Sequence, residues 1–171
     1  MTTPSVGCGA LTEHEQSYKR KFLVVVDETP ESDRAVTFAA HRVKRTGGTV
    51  VLLSVIETQD FAQFLGVEEV MRAEAREAAE RLLDARLARI AAIGEIRTET
   101  AIREGDMREE IERLVASDHG IGILVLAASN SKEGPGALIT DFASRSGGAA
   151  LPVIVTIIPG TMTDAEIVAV T

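Results

Sequence analysis

Two stretches of this 171-residue chain set side chains with usable chemistry at the ends of apolar runs. In the first, Phe22-Leu23-Val24-Val25-Val26 stops at Asp27, with Glu28, Thr29 and Pro30 next. A carboxylate at the rim of a buried strand, just ahead of a helix N-terminus, can accept hydrogen bonds from a base amino group or a ribose hydroxyl. It can equally cap the turn, a routine use of Asp at helix starts. The residue types leave both roles open. The second stretch is Ala128-Ser129-Asn130-Ser131-Lys132-Glu133-Gly134-Pro135-Gly136-Ala137-Leu138, which ends the most apolar run and opens a helix. Small residues, hydroxyls, a lysine, two glycines and helix-terminal N–H groups are the ingredients of an anion cradle. They also make an ordinary polar turn, with Gly and Pro supplying the geometry. The chain contains neither G-x-x-x-x-G-K-[ST] nor G-x-G-x-x-G, so this is neither a P-loop nor a dinucleotide fingerprint.

Other polar groups offer less. His14, His41 and His119 have no companions at metal-ligand spacing, and no metal site is expected. Cys8 has no local His or Arg to lower its pKa, and alone it cannot form an internal disulfide. The Asp27-Glu28 pair suggests the acidic pocket of a phosphoacceptor domain. The later strands, however, end in Arg103-Glu104-Gly105 and Ile157-Ile158-Pro159, without the aspartate and lysine such a pocket requires.

The elements that must hold these groups are legible in the hydrophobic pattern. Residues 21–26, 49–56 (TVVLLSVI), 121–128 (IGILVLAA) and 152–158 (PVIVTII) are short unalternating apolar runs, as expected of strands buried on both faces, and 97–102 is a weaker strand. Between them lie helical periods. Thr29-Pro30 is expected to cap and start the first, which carries Ala35, Val36, Ala39, Ala40 and Val43 and stops at Gly47-Gly48. The second, Val67 to Ile93, presents Val67, Val70, Met71, Ala75, Ala78, Leu82, Ile90 and Ile93 on one side, with Glu68/Arg72 and Glu77/Arg81 one turn apart on a solvated face. It follows an irregular stretch holding Phe61 and Phe64. Asp106 with Glu109 forms a capping-box pattern for the third helix, Ala137 to Ser146 is a short fourth, and Thr163 with Glu166 opens a terminal one. Strands alternating with helices predict a single doubly wound α/β domain with an open parallel sheet and helices on both faces. The expected layout is a loose leader over 1–20, the domain over 21–160 and an extension over 161–171. In such a sheet the ligand crevice lies at the carboxyl ends of the strands where the winding reverses, which draws Asp27 and the loop after Ala128 together.

Composition narrows the partners. There are 26 acidic and 18 basic residues, a net charge of −8, so the clustered Lys and Arg of nucleic-acid binding are missing. Charged residues interrupt every segment long enough to span a membrane, no secretory signal is visible, and a reducing, cytoplasmic setting is expected. Aromatic residues make up only 4%, so the core must come from Val, Ile, Leu and Ala.

With the strands placed, the chain from about Lys21 to Pro159 resembles the universal stress protein family. The resemblance rests on ordered pieces: VVVDETPESDRAV, the Leu53-Ser54-Val55 strand ending, the REGD turn at Arg103–Asp106, the ILVLAAS strand and the LPVIV final strand. It implies a five-stranded parallel sheet in the order 3-2-1-4-5 and a homodimer. In the family's nucleotide-binding branch the motif G-x2-G-x9-G-[ST] follows strand four, and the strand-one Asp and a strand-two Val meet the adenine, which implies Asp27 and Val55 here. Ala128 and Ser131 stand at the first two glycine positions. Thr140 occupies the final [ST] place, but Ile139 replaces its glycine, and the loop is about two residues shorter. Side chains there crowd a phosphate.

The expected function is stress-related binding without turnover, with ATP, ADP or AMP as ligand, held by Asp27, Thr29, Val55, Ala128, Ser129, Ser131, Lys132, Gly134, Gly136 and Thr140. The alternatives are a slow nucleotide-hydrolysing or nucleotidyl-transferring enzyme using Lys132 for the phosphates, and a ligand-free scaffold for another protein. The final strand is also expected to sit at the sheet edge, apolar and without an inward charge, and so to pair with a second copy of itself unless residues 163–170 fold back over it.

Overall fold

The computed structural model describes residues 20–57, 66–131, 134–144 and 151–171; of Ala143 the backbone alone is described. Five strands and five helices alternate: β1 Lys21–Val25, α1 Ser32–Thr46, β2 Thr49–Ile56, α2 Glu68–Ile93, β3 Arg97–Glu104, α3 Met107–Ser117, β4 Ile121–Ala128, α4 Ala137–Ser144, β5 Ile154–Pro159 and α5 Asp164–Val170. All strand pairings are parallel and the sheet order is β3-β2-β1-β4-β5. The winding therefore reverses between β1 and β4.

Alternation along β1 explains the layers. Phe22, Val24 and Val26 face one way, into a core completed by α1, by Leu83 and Ile90 of α2, and by Ile167 of α5. Leu23 and Val25 face the other way, against Ile111, Leu114 and Val115 of α3 and Ile139 of α4. A strand sandwiched between two helix layers has no polar face to show, which is why the run reads as continuous rather than alternating.

Several local expectations need correction. Thr29 does not cap α1: the helix starts at Ser32 with Glu31 at the N-cap and no side-chain cap. The N–H groups of Ser32, Asp33 and Arg34 instead reach the carbonyls of Thr29, Pro30 and Glu31, a tight turn that satisfies them before the helix proper. Val67 and Val70 belong to no buried face and stand 47% and 57% exposed. At 26 residues α2 is about 39 Å long, against about 26 Å for the eight-residue strands β2 and β3, so its first turns overhang the sheet. Only half of the Asp106 capping box forms: Asp106 accepts from the Glu109 N–H, but the Glu109 carboxylate pairs with Arg113. The Thr163/Glu166 box is complete. As expected of an open edge, α5 packs on α1 through buried Ile167 rather than over β5, and among the described residues nothing covers Ile154, Val155 and Ile157. Phe61, Phe64, Cys8 and His14 lie outside the described residues.

Candidate functional site

Past β1 the chain leaves the sheet with the Val26 N–H still bonded to the Leu53 carbonyl at 2.9 Å, and Asp27 is the first residue clear of it. Three contacts then fix Asp27. Its N–H donates to the buried Ser32 hydroxyl at 3.3 Å, and its carbonyl accepts from Arg86 Nη2 of α2 at 3.1 Å. Its Oδ1 accepts both the Thr29 N–H, at 2.9 Å, and the Thr29 hydroxyl. This is an Asx-type turn, in which the Asp27 carboxylate organises its own turn rather than the helix end. Oδ2 keeps its acceptor capacity. Arg86 is itself held, 3.1 Å from Asp33 of α1, with 13% of its side chain exposed.

Beyond β4 the loop folds onto itself. The Ser129 N–H donates to the Pro135 carbonyl (3.0 Å), Ser131 N–H to the Ser129 hydroxyl (3.1 Å), and Gly134 N–H to the Ser131 carbonyl (3.4 Å). Gly134 and Gly136, with φ of 117° and 107°, supply the two backbone conformations that close this turn. The Asn130 N–H donates to Oε1 of Glu31, 3.2 Å away at the start of α1. Gly160 leaves the notch that Glu31 occupies: a Cβ on that glycine would collide with Glu31 Cγ and lie 2.5 Å from the Ala128 carbonyl oxygen. On the far side, Arg108 of α3 pairs with Asp141 at 2.6 Å and lies 5.2 Å from the centre of the Phe142 ring, fastening α4.

Two cavities of about 270 Å³ each open at these strand ends, and Asp27 borders both. The first lies between β1 and β4, walled by Thr29, Glu31, Ser32, Ser129 and Gly136 over a floor of Val25, Leu126 and Ile139. The second lies between β2 and α2, where Val55 and Ile56 face Ala75, Ala78, Ala79 and Leu82. Helical alanines opposite a strand end leave a narrow apolar slot suited to a planar group. The first cavity carries Asp27 and Glu31, the second Asp27 and Glu28, and among the described residues no lysine or arginine lines either.

The expected site residues thus divide. Asp27, Thr29, Ser129 and Gly136 meet around the first cavity, and Val55 joins Asp27 at the second. Ala128, Ser131, Gly134 and Thr140 border neither; Ala128 packs against the core on the α3 and α4 side, and the Thr140 hydroxyl donates back to the Gly136 carbonyl at 2.9 Å. Lys132 lies outside the described residues. Ile139 borders the first cavity, as its motif position implied, while Glu31, Ser32 and the α2 alanines border the cavities without having been anticipated. The sequence signal for the alanines was available, since Ala75, Ala78 and Ala79 recur at helical spacing as the smallest side chains of that face. Ile139 is 6% exposed and part of the core, so its place in the motif is taken by packing.

The match to known families is decided by the family model described as "Universal stress protein family", which covers residues 19–154. The chain belongs to the universal stress protein family. Solved structures agree on the fold. A universal stress protein, UspA, from Lactobacillus plantarum superposes with a TM-score of 0.67 at 20% identity, covering 82% of this chain and 98% of that one. A family member from Burkholderia pseudomallei gives 0.64 at 19%, covering 84% and 97%. A universal stress protein in complex with cAMP gives 0.60 at 15%, covering 84% and 99%. No curated protein matches the chain. Among the described residues no group of three or more His, Cys, Asp or Glu is arranged to hold a metal ion, and no helix is long and apolar enough to cross a membrane.

Proposed function

We propose that this universal stress protein acts by binding an adenine nucleotide at the β1/β4 crevice, without efficient turnover, and that it does so as a dimer in the cytoplasm. The observation that carries the reading is Asp27 standing as the shared wall of two cavities, an apolar slot at Val55 and a polar one at Ser129 and Gly136. A flat base in the apolar slot and a ribose in the polar cavity would both lie within reach of its carboxylate, whose Oδ2 has no partner among the described residues. The cAMP complex of a family member with the same fold lends weight to a nucleotide in this crevice. Against turnover, the described lining residues include no histidine, lysine or cysteine to serve as base or nucleophile.

The dimer is supported by the uncovered apolar edge of β5, which suits antiparallel pairing with a second copy. Incubating the purified chain with ATP, ADP and AMP, followed by native mass spectrometry, tests the reading. Retention of a nucleotide unchanged is the expected result. Conversion would mean an enzyme, and no retention of any of the three would leave a scaffold for another protein.

A further inference from the structure

We propose that the Ser54 hydroxyl reads a ring nitrogen of the base, making Ser54 a specificity-determining contact in the apolar slot between β2 and α2. The inference rests on the adenine reading above and names the group of the slot that would meet that base. β2 presents Val50, Leu52 and Ile56 to the layer of α1 and α2, where all three are buried. Ser54 belongs to the same row and is 5% exposed, a serine where strands buried on both faces otherwise run apolar. Two other buried hydroxyls are already bonded: Ser32 accepts from the Asp27 N–H, and Thr37 donates to the Asp33 carbonyl while accepting from Arg89. The Ser54 hydroxyl has no hydrogen-bond partner among the described residues, and Ser54 borders the slot. Thr49, whose hydroxyl also has none, opens β2 at the end of the sheet away from the crevice.

A buried hydroxyl without a partner costs folding free energy, which one more apolar residue in β2 would have avoided. A ligand that supplies the partner removes that cost. Position makes a base the fitting ligand. Val25 pairs with Leu53, so Ser54 stands one residue beyond that pair on β2 and Asp27 two beyond it on β1, and both border the slot. Ala75, Ala78, Ala79 and Leu82 opposite them carry no polar side-chain atom. Among the described lining residues Ser54 holds the one side-chain donor, whereas the carboxylates of Asp27 and Glu28 accept. Adenine presents the matching pair, a ring nitrogen that accepts next to an exocyclic amino group that donates.

Calorimetric titration of the full chain and of its variant Ser54→Ala with ATP, 1-deaza-ATP and 7-deaza-ATP tests this, since each analogue replaces one ring nitrogen of adenine by C–H. The variant is expected to bind ATP roughly three- to tenfold more weakly than the parent, and to match the parent on one of the two analogues, from which the contact is already gone. The ligand-free variant is expected to unfold at the parent's Tm or above, because alanine removes a polar atom that nothing in the protein bonds. S54A binding ATP as tightly as the parent overturns the inference and leaves the adenine reading standing; a lowered Tm beside that unchanged affinity would place the partner of the hydroxyl within the protein. An equal loss against all three ligands also overturns it, since Ser54 would then set the shape of the slot and bond no nitrogen. If the parent binds none of the three, the adenine reading itself falls and takes this inference with it.

Discussion

The sheet ends in two very different strands. β3 carries Arg97, Glu99, Arg103 and Glu104 within eight residues, and the first three are exposed. β5 carries no charge in six residues and shows Ile154, Val155 and Ile157 to the outside at 67%, 39% and 44% exposure. Among the described residues, both strands have one row of backbone groups without a neighbouring strand. Charges along β3 make an incoming strand desolvate them, while nothing along β5 opposes one. Two edges of one sheet thus receive opposite treatment, one charged and one apolar.

The largest effect should come from giving β5 the protection of β3. Lysine at both Val155 and Ile157 should convert a dimer into monomers, halving the mass read by light scattering; an unchanged mass would move the contact elsewhere. The reverse exchange, Arg97→Val with Glu99→Val, should make β3 adhesive and raise the mass or the aggregated fraction, less sharply because Arg103 and Glu104 remain. A third change probes the far end of β5. Gly160→Ala drives a methyl against Glu31 and the Ala128 carbonyl, and should cost about 1–3 kcal/mol in denaturant unfolding. A stability equal to the parent's would show that the notch yields freely.

The smallest effect concerns the ion pairs that tie the β3 edge inward, where Lys21 of β1 meets Glu99 at 2.7 Å and Asp118 at 2.8 Å. Burial alone would lower the Lys21 pKa, but its hydrogen bonds to Asp118 and Glu99 outweigh that and hold it above the usual value. Burial likewise would raise Asp118, and the bonds from Lys21 and the Gly120 N–H hold it below its usual value. The stabilisation from Asp118 is therefore present above the ordinary carboxylate pKa and fades as pH falls through the depressed one. That from Lys21 is present below the ordinary lysine pKa and fades as pH rises through the elevated one. Lys21→Met should flatten both limbs of a Tm-against-pH curve, and parallel curves for parent and variant would contradict the assignment.

The layered sheet was legible because continuous apolar runs such as residues 121–128 have only one use in a chain that alternates with helices. Asp27 was legible for the same reason, as the residue that stops such a run. What the sequence could not carry was contact between distant segments: Glu31 bonding Asn130, Arg86 reaching the Asp27 carbonyl, and Gly160 making room for both loop and helix. The over-reading of Thr29 shares that origin. A hydroxyl before proline is a common helix start, yet here the Asp27 carboxylate captures it. Val67 and Val70 misled because periodicity states which side of a helix is apolar, not how far the sheet beneath it extends.

Gly160 follows directly on Pro159, the last residue of β5, and it is also the seat of Glu31 on the crevice loop. The apolar edge of β5 and the candidate crevice therefore meet at one residue. Were β5 to pair with a second copy, a displacement of the strand along its axis would press on Glu31 and Asn130, and a ligand that moved Glu31 would press back on β5. Linkage makes such an exchange reciprocal: whatever factor edge association adds to ligand affinity, the ligand returns to edge association. A titration carried out at low and at high protein concentration would then give two affinities for one site.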